Sequence, residues 1–147
     1  MLSKDKVLVC PRFWKDVKTL RKRKLSSFEC VIDQETDQLP DSVKVTLFPH
    51  VSATVNFIFE VLIDRHVLVG QSNNCNQISD IRFTKLSFQV FKLRRAVDKS
   101  GSSGGVRYIF AVDQNEYMHL VLVKAKADCE NDNELRNEIY DRLCVTQ

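Results

Sequence analysis

The sequence predicts an α+β fold: a small antiparallel sheet accompanied by an N-terminal helical hairpin and a C-terminal helix. Between Ser87 and Asp128, β-branched and aromatic residues form three strand-like segments, 88–96, 106–113 and 118–126. Their connections suit hairpins, so an antiparallel meander is expected. On either side, apolar residues recur at helical spacing instead: Phe13, Trp14, Val17 and Leu20 near the start, Leu135, Ile139 and Leu143 near the end. At 147 residues and 44% hydrophobic, the chain suffices for one core, and a single domain over 1–147 is expected.

Taken in order, Lys6 to Cys10 reads as a short strand, with Pro11 as a plausible first helical residue. The helix that follows leaves Arg12, Lys15, Lys18 and Lys22 for a basic outer face. Ser26 and Glu29 have capping-box spacing, which predicts a second short helix over 28–35 and completes the hairpin. The stretch from about 39 to 85 is the unplaced part of the chain. Within it, 42–48 alternates like a strand, 53–65 is read as helix in preference to two strands, and 71–79 as a polar loop. Asn131 is a candidate cap for the last helix, with Glu134 at capping-box spacing.

Charge is unevenly placed. The formal net charge is only +3, yet residues 1–24 carry nine Lys/Arg against two Asp/Glu, and residues 128–147 carry two against six. Alternation sets Lys92 and Arg94 on one side of the first strand of the meander and Lys124 and Lys126 on one side of the third. Three of the four glycines sit in the loop leading to Arg107. Five cations can therefore converge on one sheet face, for which a polyanion such as RNA is the compensating partner. The ordinary alternative is a solvated outer face, which also accounts for the basic helix. The glycine loop is read first as a flexible hairpin connection, since no helix follows it as a P-loop requires.

Other chemistries find little support in the sequence. The five cysteines include no CxxC pair, and His50, His66 and His119 lie far apart without metal-ligand spacing, so neither a metal site nor a cofactor is expected. His119 is the histidine of interest, because it lies on the last strand. No segment approaches the ~20 apolar residues of a membrane span, and the start lacks a secretion-type apolar stretch. The expectation is a soluble protein of a reducing cytoplasm with buried free thiols.

The strand with Lys92-Leu93-Arg94, the loop ending Ser103-Gly104-Gly105, the strand Arg107-Tyr108-Ile109-Phe110-Ala111-Val112 and the run Lys124-Ala125-Lys126-Ala127-Asp128-Cys129-Glu130-Asn131 before a helix resemble the RelE/ParE-like toxins of type II toxin–antitoxin systems. The HigB-type branch is the most similar. The likeness covers 90–143 and, more loosely, 6–24. It implies a RelE-like microbial RNase fold with an open basic sheet face, and an mRNA endoribonuclease acting on the ribosome without a metal, by attack of a ribose 2′-hydroxyl on the adjacent phosphate. By motif position it assigns catalytic roles to Lys92, Arg94, Arg107 and Lys126. Val106 stands where an aromatic is common and Lys124 where a tyrosine is common.

In physical terms, in-line attack concentrates negative charge on the phosphorane, which fixed cations stabilise more than the ground state. Arg107 suits that task best. Neighbouring positive charge favours a neutral lysine, which makes Lys92 the candidate base. Arg95, Lys99, Lys124, Lys15, Lys18 and Lys22 are candidate RNA-binding residues, and the partners expected are a cognate antitoxin, mRNA and the ribosome. The alternative is a non-catalytic binding module on the same fold, such as a ParE-type gyrase inhibitor or a silent regulator.

Overall fold

A computed structural model describes residues 5–22, 54–55, 57–58, 75–95, 105–129 and 131–146. The expected second helix at 28–35, the strand at 42–48, Lys99 and most of the glycine loop lie outside the described residues, as do the side chains of Lys18 and Lys22. The described chain is α+β. Five strands, β1 (Val7–Val9), β2 (Cys75–Ile78), β3 (Gln89–Arg95), β4 (Val106–Val112) and β5 (Met118–Ala125), form one sheet in the order β1-β5-β4-β3-β2. Its helices are α1 (Phe13–Lys22), α2 (Ile81–Lys85) and α3 (Asp132–Thr146), and a 3₁₀ turn, Lys126–Asp128, follows β5.

The sheet is mixed, where an antiparallel one was expected. β3 to β5 form the predicted antiparallel meander and β2 adds antiparallel to β3, but β1 joins parallel to β5, with Val7 opposite Met118 and Val9 opposite Leu120. Hairpin chemistry reports only on strands adjacent in sequence, and β1 pairs with the strand farthest from it along the chain. A second correction concerns 71–79, read as a polar loop, where Cys75–Ile78 forms the edge strand β2. Its two apolar residues enter different layers, Cys75 on one sheet face and Ile78 on the other, so no alternation was visible. α2 begins in the same unplaced segment, capped by Asp80, whose Oδ1 accepts from the Arg82 N–H at 2.9 Å.

Each face of the sheet carries its own apolar layer. On the first, Phe13, Val17 and Leu20 of α1 pack with Phe91, Leu93, Tyr108, Phe110, Leu120 and Val123, as the helical spacing requires. On the second, Leu135, Ile139 and Leu143 of α3 pack with Val90, Ile109, Ala111, Val121 and Leu122, joined by Phe83 of α2. The cap is as predicted: Asn131 Oδ1 accepts from the Glu134 N–H at 3.0 Å. The second face is therefore occupied along much of its length by α3, where the resemblance implied an open surface.

One irregularity governs what that face displays. Ile109 pairs with Leu122 but Phe110 with Leu120, so β5 carries one extra residue, Val121, against β4. Such a bulge reverses side-chain parity along its strand. Counted from His119, regular alternation would turn Lys124 to the α1 face. With the extra residue, Lys124 faces α3, directly opposite Arg107.

Packing of α3 through its apolar stripe gives a direct expectation. Ile139→Ala, at a fully buried position, costs about 2–5 kcal/mol in chemical denaturation. Val145→Ala, on the exposed side of the same helix, stays within about 0.5 kcal/mol of the parent. Equal effects at the two positions would show that the stripe does not dock the helix.

Candidate nucleic-acid interface

The register aligns three cations straight across the sheet: Arg94 on β3 opposite Arg107 on β4, and Arg107 opposite Lys124 on β5. Like charges directly opposite one another on neighbouring strands are destabilising. Lys92 lies on the same face two residues along β3, between Asn76 and Ile109. It lines a small cleft of about 130 Å³ with Asn76, Ile78, Leu135 and Arg136, where β2 meets the start of α3.

Burial sharpens the conflict of charges. Arg107 is only 8% exposed, and burial followed by the charge of Arg94 lowers its pKa from the usual guanidinium value. One Arg107 Nη1 donates to the Val106 carbonyl at 3.3 Å. Arg94 is half-buried, and its Nε is enclosed without a hydrogen-bond acceptor, an arrangement that costs free energy until an acceptor arrives. Lys124 is held by the Glu138 carboxylate of α3, Nζ to Oε1, at 2.6 Å. Cys129 marks the common neighbourhood: burial raises its thiol pKa, while the charges of Arg107, Lys124 and Lys92 all pull it down.

Other predicted residues lie elsewhere. Lys126 is exposed at the start of the 3₁₀ turn rather than on the strand, its N–H bonded to the Gly105 carbonyl at 3.0 Å. Arg95 belongs to the opposite face, as strand alternation demands. Its Nε donates to Thr54 Oγ1 at 3.2 Å, and its guanidinium covers the Phe57 ring at 4.7 Å. Lys15 is exposed on α1, the helix of that same opposite layer. Lys15 and the strand cations Lys92, Arg94 and Lys124 thus do not share a face.

His119 is also placed apart. It is buried, with Nε2 2.9 Å from Asp113 Oδ2, and its ring meets Phe88 edge-on. Its partner Ala111 lies four steps along β4 from Arg107, roughly 13 Å at about 3.3 Å per residue. Asp113 Oδ1 accepts from the Asn115 and Tyr117 N–H groups, which fixes the β4–β5 turn. Tyr108 is buried in the α1 layer beside Phe110, its pKa raised chiefly by burial, as core packing implies. Among the described thiols, Cys10 and Cys75 are buried, Cys129 is half-buried and Cys144 is exposed, so burial holds for only part of that set.

The sequence reading missed the ion network next to the row. Arg142 of α3, 4% exposed, donates to Asp16 of α1 through both Nη atoms at 2.5 and 3.0 Å, to Glu138 at 2.7 Å and to the Val121 carbonyl at 2.9 Å. Asp16 also accepts from the Val123 N–H at 3.3 Å, beyond the point where β1 stops pairing. A signal was present. Glu138 and Arg142 are four residues apart and each immediately precedes a residue of the apolar stripe, a position that borders the buried seam.

Among the described residues, no three His, Cys, Asp or Glu side chains gather as metal ligands, and no helix is long and apolar enough to cross a membrane. Compared with known proteins, the chain matches no family model, no curated protein and no solved structure.

The carboxylates of this region give stability a defined acid limb. Burial alone raises the Asp113 pKa, but the hydrogen bond from His119 and those from the Tyr117 and Asn115 N–H groups outweigh it, and the net shift is downward. For Glu138 burial is likewise outweighed, by Lys124 and Arg142. A depressed folded-state pKa adds stability above the ordinary carboxylate value that is lost as pH falls through the folded value. Denaturant unfolding at stepped pH is therefore expected to weaken below about pH 4, less steeply in Asp113→Asn than in the parent. Parallel profiles would contradict the assignment of Asp113.

Proposed function

We propose that the protein is an RNA-cleaving toxin of a type II toxin–antitoxin system, with a RelE-like fold, that grips the RNA backbone at the cross-strand row. The observation that carries this reading is the alignment of Arg94, Arg107 and Lys124 with Lys92 beside them. Three neighbouring cations, one nearly buried and one with an enclosed donor lacking an acceptor, are suited to a phosphodiester, which supplies both charge and acceptor oxygens. The sequence resemblance supplies the reaction class.

In that reaction the ribose 2′-oxygen attacks the adjacent phosphorus as its proton passes to a base, the role the sequence pattern gives to Lys92. The bond to the 5′-oxygen breaks, and the departing oxygen takes a proton from water, leaving a 2′,3′-cyclic phosphate. Arg107, fixed on a central strand, meets the charge that builds on the phosphorane, and Arg94 shares it. A cognate antitoxin, mRNA and the ribosome are the corresponding partners. A non-catalytic binding module on this fold is the second reading, favoured by the position of His119, held by Asp113 away from the row.

Brief expression is expected to arrest growth and to create new mRNA ends, mapped by primer extension. Arg107→Met lowers cleavage by about 100- to 1,000-fold with little change in melting temperature. Intact mRNA with altered DNA supercoiling would establish the binding-module reading. Loss of folding in Arg107→Met would make this arginine structural.

A further inference from the structure

We infer that Glu138 is a built-in competitor for phosphate at Lys124, so that helix α3 sets how strongly the cation row binds its ligand. The inference rests on the reading of the row as a phosphate grip and names a residue that regulates it. Lys124 continues the line of Arg94 and Arg107, yet its ammonium is already engaged by the Glu138 carboxylate at 2.6 Å. A carboxylate and a phosphate oxygen offer a lysine the same acceptor chemistry. Whatever anion binds Lys124 fully must displace Glu138 or share the ammonium with it.

The surroundings show where a displaced carboxylate remains bound and where a ligand has room. Glu138 has a second partner, Arg142 Nη2, at 2.7 Å, so leaving Lys124 does not strand its charge. Arg142 is in turn anchored by Asp16 and by the Val121 carbonyl, which keeps α3 in place during the exchange. Lys124 and Glu138 both line a cleft of about 500 Å³ at the edge of β5, together with Arg12, Asp16, Asp128 and Arg142. Lys124 and Glu138 are each 17% exposed at the side chain, so the pair is within reach of a ligand entering that cleft.

A partly exposed ion pair of this kind is a weak competitor, which suits tuning rather than closure. Its strength is on the order of that of surface pairs, so removing it should change affinity about three- to fivefold. The exchange also gives specificity. A multiply charged phosphate backbone outbids one carboxylate more readily than a single carboxylate ligand does.

The test uses the full chain and two probes, a short single-stranded RNA followed by fluorescence anisotropy and inorganic pyrophosphate followed by thermal shift. Glu138→Gln is expected to bind both about three- to fivefold more tightly. The gain disappears in the Lys124→Met background, a dependence that a merely structural role of Glu138 would not produce. Equal or weaker binding by a folded Glu138→Gln, or a gain that persists in Lys124→Met, overturns the inference. Should Glu138→Gln prove poorly folded, Lys124→Arg replaces it: an arginine bridging both anions narrows the difference between RNA and pyrophosphate binding, and an unchanged ratio counts against competition. Gain for pyrophosphate with no RNA binding by any variant upholds the role of Glu138 and overturns the RNA reading instead.

Discussion

The cation row depends on one extra residue in one strand. Without Val121 as the additional member of β5, strand parity would carry Lys124 to the α1 face and Val123 to the α3 face, exchanging a charge with an apolar side chain in both layers. The bulge instead lets Val121 and Leu122 both enter the α3 layer and brings Lys124 level with Arg107. Bulges are common where a side chain must be re-aimed. Here the same irregularity completes the apolar seat for α3 and the line of positive charge beside it.

The seat and the charge then interact through α3. Its apolar stripe holds the helix on the sheet, and the bordering pair Glu138 and Arg142 connects it to Lys124 on one side and to Asp16 of α1 on the other. Arg142 is nearly buried, a position whose desolvation is offset only because both Nη atoms meet carboxylates and a carbonyl. The network joins the two layers around the edge of the sheet, past the end of β1. A fold that lost the Asp16 contact would free the helix whose glutamate restrains Lys124.

Legibility followed periodicity. The meander, the α1 and α3 stripes and the Asn131 cap were readable because each is a local pattern of spacing. The parallel partnership of β1 with β5 was not, since it joins segments more than a hundred residues apart in sequence. β2 was hidden by its composition, Cys-Asn-Gln-Ile, with one apolar residue for each layer. At the site, alternation correctly grouped Lys92 with Arg94, but the same rule separates Arg95 from them, and the structure turns it to Phe57 and Thr54. Glu138 and Arg142 escaped notice because helix charges are ordinarily solvated, and only the packing of α3 brings them to Lys124 and Asp16.

The central claim is that Arg94, Arg107 and Lys124 act together on phosphate groups. The salt dependence of RNA binding measures that most directly, because each neutralised phosphate on a single strand contributes about 0.7 to the slope of log affinity against log salt concentration. A variant with Arg94→Gln, Arg107→Met and Lys124→Met should lose about 2 from that slope relative to the parent, with the fold intact by circular dichroism. An unchanged slope in a folded triple variant would show that RNA is held elsewhere and that the row is a structural feature of the sheet.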